Sequence, residues 1–214
     1  MYLLLICIAG GCAGAYFHPP LASLLVYDRG AILAGELWRL FTCHLVHFSL
    51  SHLLSDLAGF LIAAGIILQR GYRHFGLLCA VSAFTVSGAI FLMQPGMAVY
   101  GGLSGIVNAA FIFAAFHGFR EEGRWKWFCL AVIVLCIGNT LWEGVKGQLT
   151  LASPDNYPFV PVPLAHLVGA LTGAAMAGVE ARLAARPLLS PTGPASGRDS
   201  ENDTFPLHGE EGSV

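Results

Sequence analysis

The sequence predicts an all-α membrane protein of six transmembrane helices, with a segment lying at the membrane interface between helices 1 and 2. Composition is the first observation. Of 214 residues, 56% are hydrophobic and 11% are charged, whereas soluble domains carry about 25% charged residues. Mean hydropathy, at +0.67, is the second. The third is spacing: apolar runs occupy residues 1–17, 50–69, 75–93, 102–119, 126–142 and 163–181, most of them close to the roughly 20 residues needed to cross a hydrocarbon core. A net charge of -2, with basic residues only in short clusters, excludes a nucleic-acid partner as the expectation. Lipid is the expected surroundings.

The run at 1–17 carries no Lys or Arg, whereas a cleaved signal peptide starts with positive charge. Ala9-Gly10-Gly11-Cys12 faintly matches a lipoprotein processing site, but a first membrane helix ended by His18-Pro19-Pro20 is the preferred reading. Residues 18–49 form a long amphipathic connection holding Tyr27-Asp28-Arg29 and Glu36-Leu37-Trp38-Arg39-Leu40-Phe41. Trp beside Arg among apolar residues suits the membrane interface. Five further helices follow; Gly88 and Gly138 interrupt two of them, which membrane helices tolerate.

Basic residues orient the chain. Arg70, Arg73, Arg120, Arg124, Lys126, Arg182, Arg186 and Arg198 fall on one side, against Arg29, Arg39 and Lys146 on the other. The positive-inside rule then predicts cytoplasmic termini and places the starts of the second, fourth and sixth helices near the outer face. The membrane domain is expected to span 1–186. The tail at 187–214, rich in Pro, Gly, Ser and acidic residues, reads as disordered. The six cysteines never form C-x-x-C and read mostly as small buried hydrophobes.

Those three helix starts hold the polar residues. Ser104 stands in Gly101-Gly102-Leu103-Ser104-Gly105 at the head of the fourth run, where glycines permit backbone angles and close packing that leave a hydroxyl exposed. His166 heads the sixth run on a face shared with Gly169, Ala170, Gly173 and Ala177, a small-residue stripe that lets two membrane helices approach closely. His52, Asp56 and Gly59 share a face of the second helix. Ionisable residues inside a membrane segment mark a functional site by default; a structural polar clamp is the alternative. His44, His47 and His52 also raise a metal site, but no H-E-x-x-H is present, and no metal is expected.

A serine hydroxyl needs a base within reach. His166 can supply it, and His52 with the Ser104 N–H can stabilise an oxyanion. No Asp is required if packing alone holds the imidazole.

At these residues the sequence resembles the rhomboid intramembrane serine proteases. The matches are G-x-S-G at Gly102–Gly105, A-H-x-x-G-x-x-x-G at Ala165–Gly173, a His47–Asp56 segment like the family's H-x-x-x-x-H-x-x-x-N, and Trp38-Arg39. The resemblance covers roughly residues 20–182 in the family's order. It implies a six-helix rhomboid fold and a Ser104–His166 dyad. It also implies an oxyanion or substrate site at His52, Asp56, Gly102 and Asn108, with no cofactor. Tyr27-Asp28-Arg29, Gly35–Leu40, His52-Leu53-Leu54, Leu141-Trp142-Glu143 and Ala165-His166-Leu167 are most similar to the rhombosortase branch. That branch is associated with cleaving exported proteins that bear a C-terminal Gly-Gly-containing tail in Gram-negative bacteria. The resemblance thus implies membrane-anchored protein substrates, a bacterial inner membrane and an active site near the periplasmic face.

Two positions depart from the pattern. Asp56 replaces an Asn, and an ionised carboxylate can only accept hydrogen bonds, so the expectation is a neutral Asp56 that donates, or an impaired enzyme. Asn108 stands where many rhomboids carry a Tyr stacked on the histidine. Trp142-Glu143 reads either as an interfacial anchor or as a contact to substrate or to the following loop. A catalytically inactive rhomboid-like protein that retains transmembrane clients is the competing class, and a small transporter is the third.

Overall fold

The computed structural model describes residues 1–146 and 162–184. The tail from 187, most of the connection after Lys146, and Arg186 and Arg198 of the charge argument lie outside the described residues. Within them the protein is predominantly helical. Helix α1 (Tyr2–Phe17) meets α2 (Pro19–Leu25) at a bend of 117°. The break follows from Pro19 and Pro20: His18 is extended, as a residue before proline must be, and its Nδ1 accepts from the Leu21 N–H at 3.2 Å to cap α2.

The connection between α1 and the next long helix is folded throughout. It contains strand β1 (Tyr27–Asp28), short helices α3 (Arg29–Leu33) and α4 (Arg39–Thr42), and a 3-10 turn at Cys43–Leu45. Trp38 and Arg39 part company here. Trp38 is exposed, whereas Arg39 is buried; its guanidinium pairs with Glu36 at 2.7 Å and donates to the carbonyls of Ser23 and Val26 at 2.8 Å each. Strand β1 pairs antiparallel with β2 (Val99–Tyr100), Tyr27 opposite Tyr100. That pairing has no periodic signal in the sequence, because two residues are too few to show one.

The long helices are α5 (Leu50–Arg70), α6 (Phe75–Met93), α7 (Ser104–Gly118), α8 (Arg124–Lys146) and α9 (Pro163–Ala184). They fall on the expected runs, with ends shifted by up to four residues. Ser49 caps α5 by accepting from the His52 N–H, and Gly71 ends it at φ +69°, a left-handed position suited to glycine. By length and composition α5, α6, α8 and α9 can each cross a membrane, and the bent pair α1–α2 can count as a fifth span. Helix α7 has only 15 residues, roughly 22 Å at 1.5 Å per residue, short of a full hydrocarbon core. It is the central helix, packed by α5, α6, α8 and α9.

Its tightest neighbour is α9. Gly169 and Gly173 lie against the backbone of Gly105 and Ala109, so that a Cβ on either glycine would fall onto a carbonyl oxygen of α7. Small residues every four positions bring the backbones together, and dispersion is then the attraction available within lipid. At the opposite end from Ser104, Glu121 accepts from Arg70 at 2.8 Å and Tyr72 at 2.6 Å, and Glu180 faces His74 at 2.7 Å and His117 at 3.1 Å. Cys12, Cys43, Cys79 and Cys129 are buried as expected, while Cys7 is exposed; all six are free.

Gly169→Ala tests the seam. The methyl group must push α9 off α7, and overpacking typically costs about 1–3 kcal/mol. The expected result is a lower Tm in detergent, and an unchanged Tm would show that the helices are less closely seated.

Candidate active site

The segment ahead of α7 is fixed from three sides. The Gly102 N–H donates to the Cys43 carbonyl at 3.2 Å, and the Leu103 N–H donates to Asp56 Oδ2 at 2.8 Å. His44, fully buried, lies between two carbonyls, with Nδ1 3.2 Å from Gly102 O and Nε2 2.9 Å from Ala83 O of α6. Gly102 adopts φ +132°, and a Cβ there would stand 2.8 Å from the His52 ring. Glycine is needed at 102 both for its backbone angle and for the space beside His52.

This loop delivers Ser104 to the first turn of α7, and the α7–α9 seam delivers His166 to meet it. Ser104 Oγ lies 2.9 Å from His166 Nε2. Both line a cavity of about 140 Å3 with His52 and Asp56 of α5, Asn108 of α7, and Glu143 of α8. That volume has room for a few water molecules. The structure therefore brings together all three polar helix starts.

A carboxylate stands beside the imidazole, which the sequence reading did not require if packing held the ring. Glu143 Oε2 is 2.6 Å from His166 Nδ1, and Asn139 Nδ2 donates to Glu143 Oε1 at 3.0 Å. Glu143 is 3% exposed while Trp142 beside it is 53% exposed. The interfacial-anchor reading fits Trp142 alone. A carboxylate inside an apolar run was the available signal for Glu143, but the face it occupies depends on how α8 is rotated about its axis.

Asp56 is used as an acceptor. Its Oδ2 receives the Leu103 N–H and stands 3.1 Å from His47 Nε2 and 3.2 Å from His52 Nε2. The geometry corrects the expectation that Asp56 donates to an oxyanion: its oxygen faces N–H groups and ties the serine loop to α5. Ligand atoms of His47, His52 and Asp56 fall within 4.8 Å of one another, and the contacts just given already relate them; His44 stands apart on its two carbonyls. Asn108 lines the cavity, but its Nδ2 donates to the Ser104 carbonyl of its own helix at 3.2 Å. It does not take over the hold on His166.

A hydroxyl lies against an imidazole in a cavity lined from α5, α7, α8 and α9, within a predominantly helical protein. Residues 34–182 match the family model of the rhomboid domain, and the chain belongs to the rhomboid family. With its several long apolar helices, it is a multi-pass membrane protein. The protein named rhomboid protease GlpG from Salmonella choleraesuis strain SC-B67 is 29% identical over 157 residues, which is 73% of this chain and 53% of that protein. The same values hold for the GlpG proteins of Salmonella newport strain SL254 and Salmonella typhi. The chain thus spans about half the length of these curated relatives.

Two outcomes are expected here. Asp56→Ala removes the acceptor of the buried Leu103 N–H, and the cost of leaving a buried donor unpaired, about 1–3 kcal/mol, should lower Tm; an unchanged Tm would show that the loop is held without it. Burial pushes the His44 imidazole below its ordinary value of 6.5, outweighing the Ala83 and Gly102 carbonyls that favour the protonated ring, so between the two values the folded protein holds it neutral. As pH falls through 6.5 the unfolded chain takes a proton that the folded one refuses, and stability is lost. A Tm profile should therefore fall on the acid side more steeply in wild type than in His44→Asn, and parallel profiles would contradict this.

Proposed function

We propose that this protein is an intramembrane serine endopeptidase. The observation that carries the reading is the 2.9 Å approach of Ser104 Oγ to His166 Nε2 in a cavity that also holds His52. His166 takes the serine proton as Oγ attacks the scissile carbonyl carbon. The resulting oxyanion is met by the Ser104 N–H and His52. His166 then passes the proton to the leaving amine, the C–N bond breaks, and an acyl-enzyme remains. Water, deprotonated by His166, attacks the ester and frees Ser104. The cavity's polar wall of His52, Ser55 and Asp56 gives that water a route through otherwise apolar surroundings.

The substrates in this reading are membrane-anchoring segments whose helix unwinds near the outer leaflet, because helical carbonyls are hydrogen-bonded and shielded. C-terminal Gly-Gly-type sorting tails of exported proteins are the specific class, since Gly-Gly resists helix and exposes its carbonyls. The proposal includes six spans, with α1 and α7 as the short ones, and residues 18–49 at the interface. It also includes cytoplasmic termini and a bacterial inner membrane with cleavage toward the periplasm. The competing reading, an inactive protein that binds clients, drew its support from Asp56; as an acceptor holding the serine loop, Asp56 is compatible with catalysis.

A fluorophosphonate probe applied to detergent-solubilised protein tests the proposal without knowledge of the substrate. Labelling of wild type, abolished in Ser104→Ala and His166→Ala, is the expected result. Wild type that stays unlabelled across a pH series would favour the client-binding protein.

A further inference from the structure

We propose that Glu143 completes a Ser104–His166–Glu143 row, acting as a positioning residue that sets the tautomer of His166 and balances its charge once it has taken the serine proton. This rests on the peptidase reading above. Four observations carry it. The first is distance: Glu143 Oε2 stands 2.6 Å from His166 Nδ1, on the side of the ring opposite Ser104. The contact is short but lacks the alignment of a hydrogen bond.

The second is burial. Glu143 is 3% exposed and His166 is 6% exposed, and an acid withdrawn from water within a membrane helix is retained only where it has a partner. The third is support. Asn139, one turn earlier on α8, donates to Glu143 Oε1 at 3.0 Å, which leaves Oε2 for the imidazole. The fourth is exclusion of alternatives. Asp56, the other carboxylate lining the cavity, is engaged by Leu103 N–H, His47 and His52.

The chemistry follows from the tautomer. A carboxylate at Nδ1 favours the imidazole with its proton on Nδ1, and Nε2 is then the lone-pair nitrogen that must accept from Ser104. When that proton arrives, the ring is positive in surroundings of low dielectric, where a fixed negative neighbour is worth far more than in water. No proton passes to Glu143. The charged or titratable groups lining the cavity around His166 are His52 and Asp56 from α5, Glu143 from α8 and Tyr100 from β2; α6 contributes none among the described residues.

The test uses the full chain in lipid nanodiscs, with Glu143→Gln, Glu143→Asp and Ser104→Ala beside wild type. Gln keeps the size and the Asn139 contact but removes the charge and allows either tautomer. Two readouts are taken: the rate at which a fluorophosphonate labels Ser104, and the imidazole 15N spectrum of His166, assigned by its loss in His166→Ala. We expect Glu143→Gln to label about 10²-fold more slowly or worse, with the Nδ1–H signature of wild type replaced by mixed tautomers, and Glu143→Asp to recover part of both. Wild-type labelling by Glu143→Gln overturns the proposal. So does a slow Glu143→Gln whose 15N spectrum is unchanged and whose Tm has fallen, since that is a structural defect alone. If wild type itself is inert to the probe, the peptidase reading fails, and the spectrum still decides whether Glu143 sets the tautomer.

Discussion

The carbonyl groups of Gly105 and Ala109 lie where side chains would be if residues 169 and 173 were anything but glycine, and the geometry of the site hangs on that contact. Ser104 and His166 belong to different helices, separated by 62 positions in sequence. A chemically useful distance between them cannot be set by local structure. It is set by how closely α7 and α9 approach, and at this seam the approach is backbone against backbone. Inside lipid the hydrophobic effect does not force helices together, so the absence of side chains does what apolar burial does in a soluble core.

The serine is held along its own chain by a second device. Gly102 takes a left-handed backbone angle, His44 and Asp56 meet the carbonyl and the N–H of the peptide group that joins Gly102 to Leu103, and β2 pairs with β1. Each fastening comes from a different element: the 3-10 turn, α5 and β1. The polar residues that look from sequence like chemistry thus divide into those facing the cavity and those facing the loop. Asp56 does both, lining the cavity while binding the Leu103 N–H.

The helices were legible because apolar runs bounded by Gly, Pro and charge record their own length; 75–93 is an instance, matching Phe75–Met93 to the residue. Ser104, His166 and His52 were legible because alternate membrane helices start at the same face, which places polar residues at those starts on one level. Glu143 was not, since its value depends on the rotation of α8, and neighbouring Trp142 gave an adequate reason for an acid nearby. The expectation for Asp56 went astray by treating the side chain as a donor to an oxyanion, when three N–H-bearing groups were within its reach. Nothing in the sequence foretells the β1–β2 pair, whose partners are far apart and two residues long. The shortness of α7 and its place among four other helices were not legible, because apolar composition does not distinguish a lipid-facing helix from one surrounded by others.

Arg39 has a consequence for hydration. Residues 18–49 include stretches with no regular helix, and an irregular backbone ordinarily needs water to satisfy its N–H and C=O groups. Here the Arg39 guanidinium serves the carbonyls of Ser23 and Val26, Thr42 Oγ1 donates to the Leu25 carbonyl, and the Trp38 indole donates to that of Leu24. Four carbonyls, three in the last turn of α2 and one at Val26 just after it, are met by side chains arriving from one short stretch, 38–42. The connection supplies with its own side chains the hydrogen bonds that solvent would otherwise give, and can rest against acyl chains at a depth where an ordinary loop would have to drag its hydration with it.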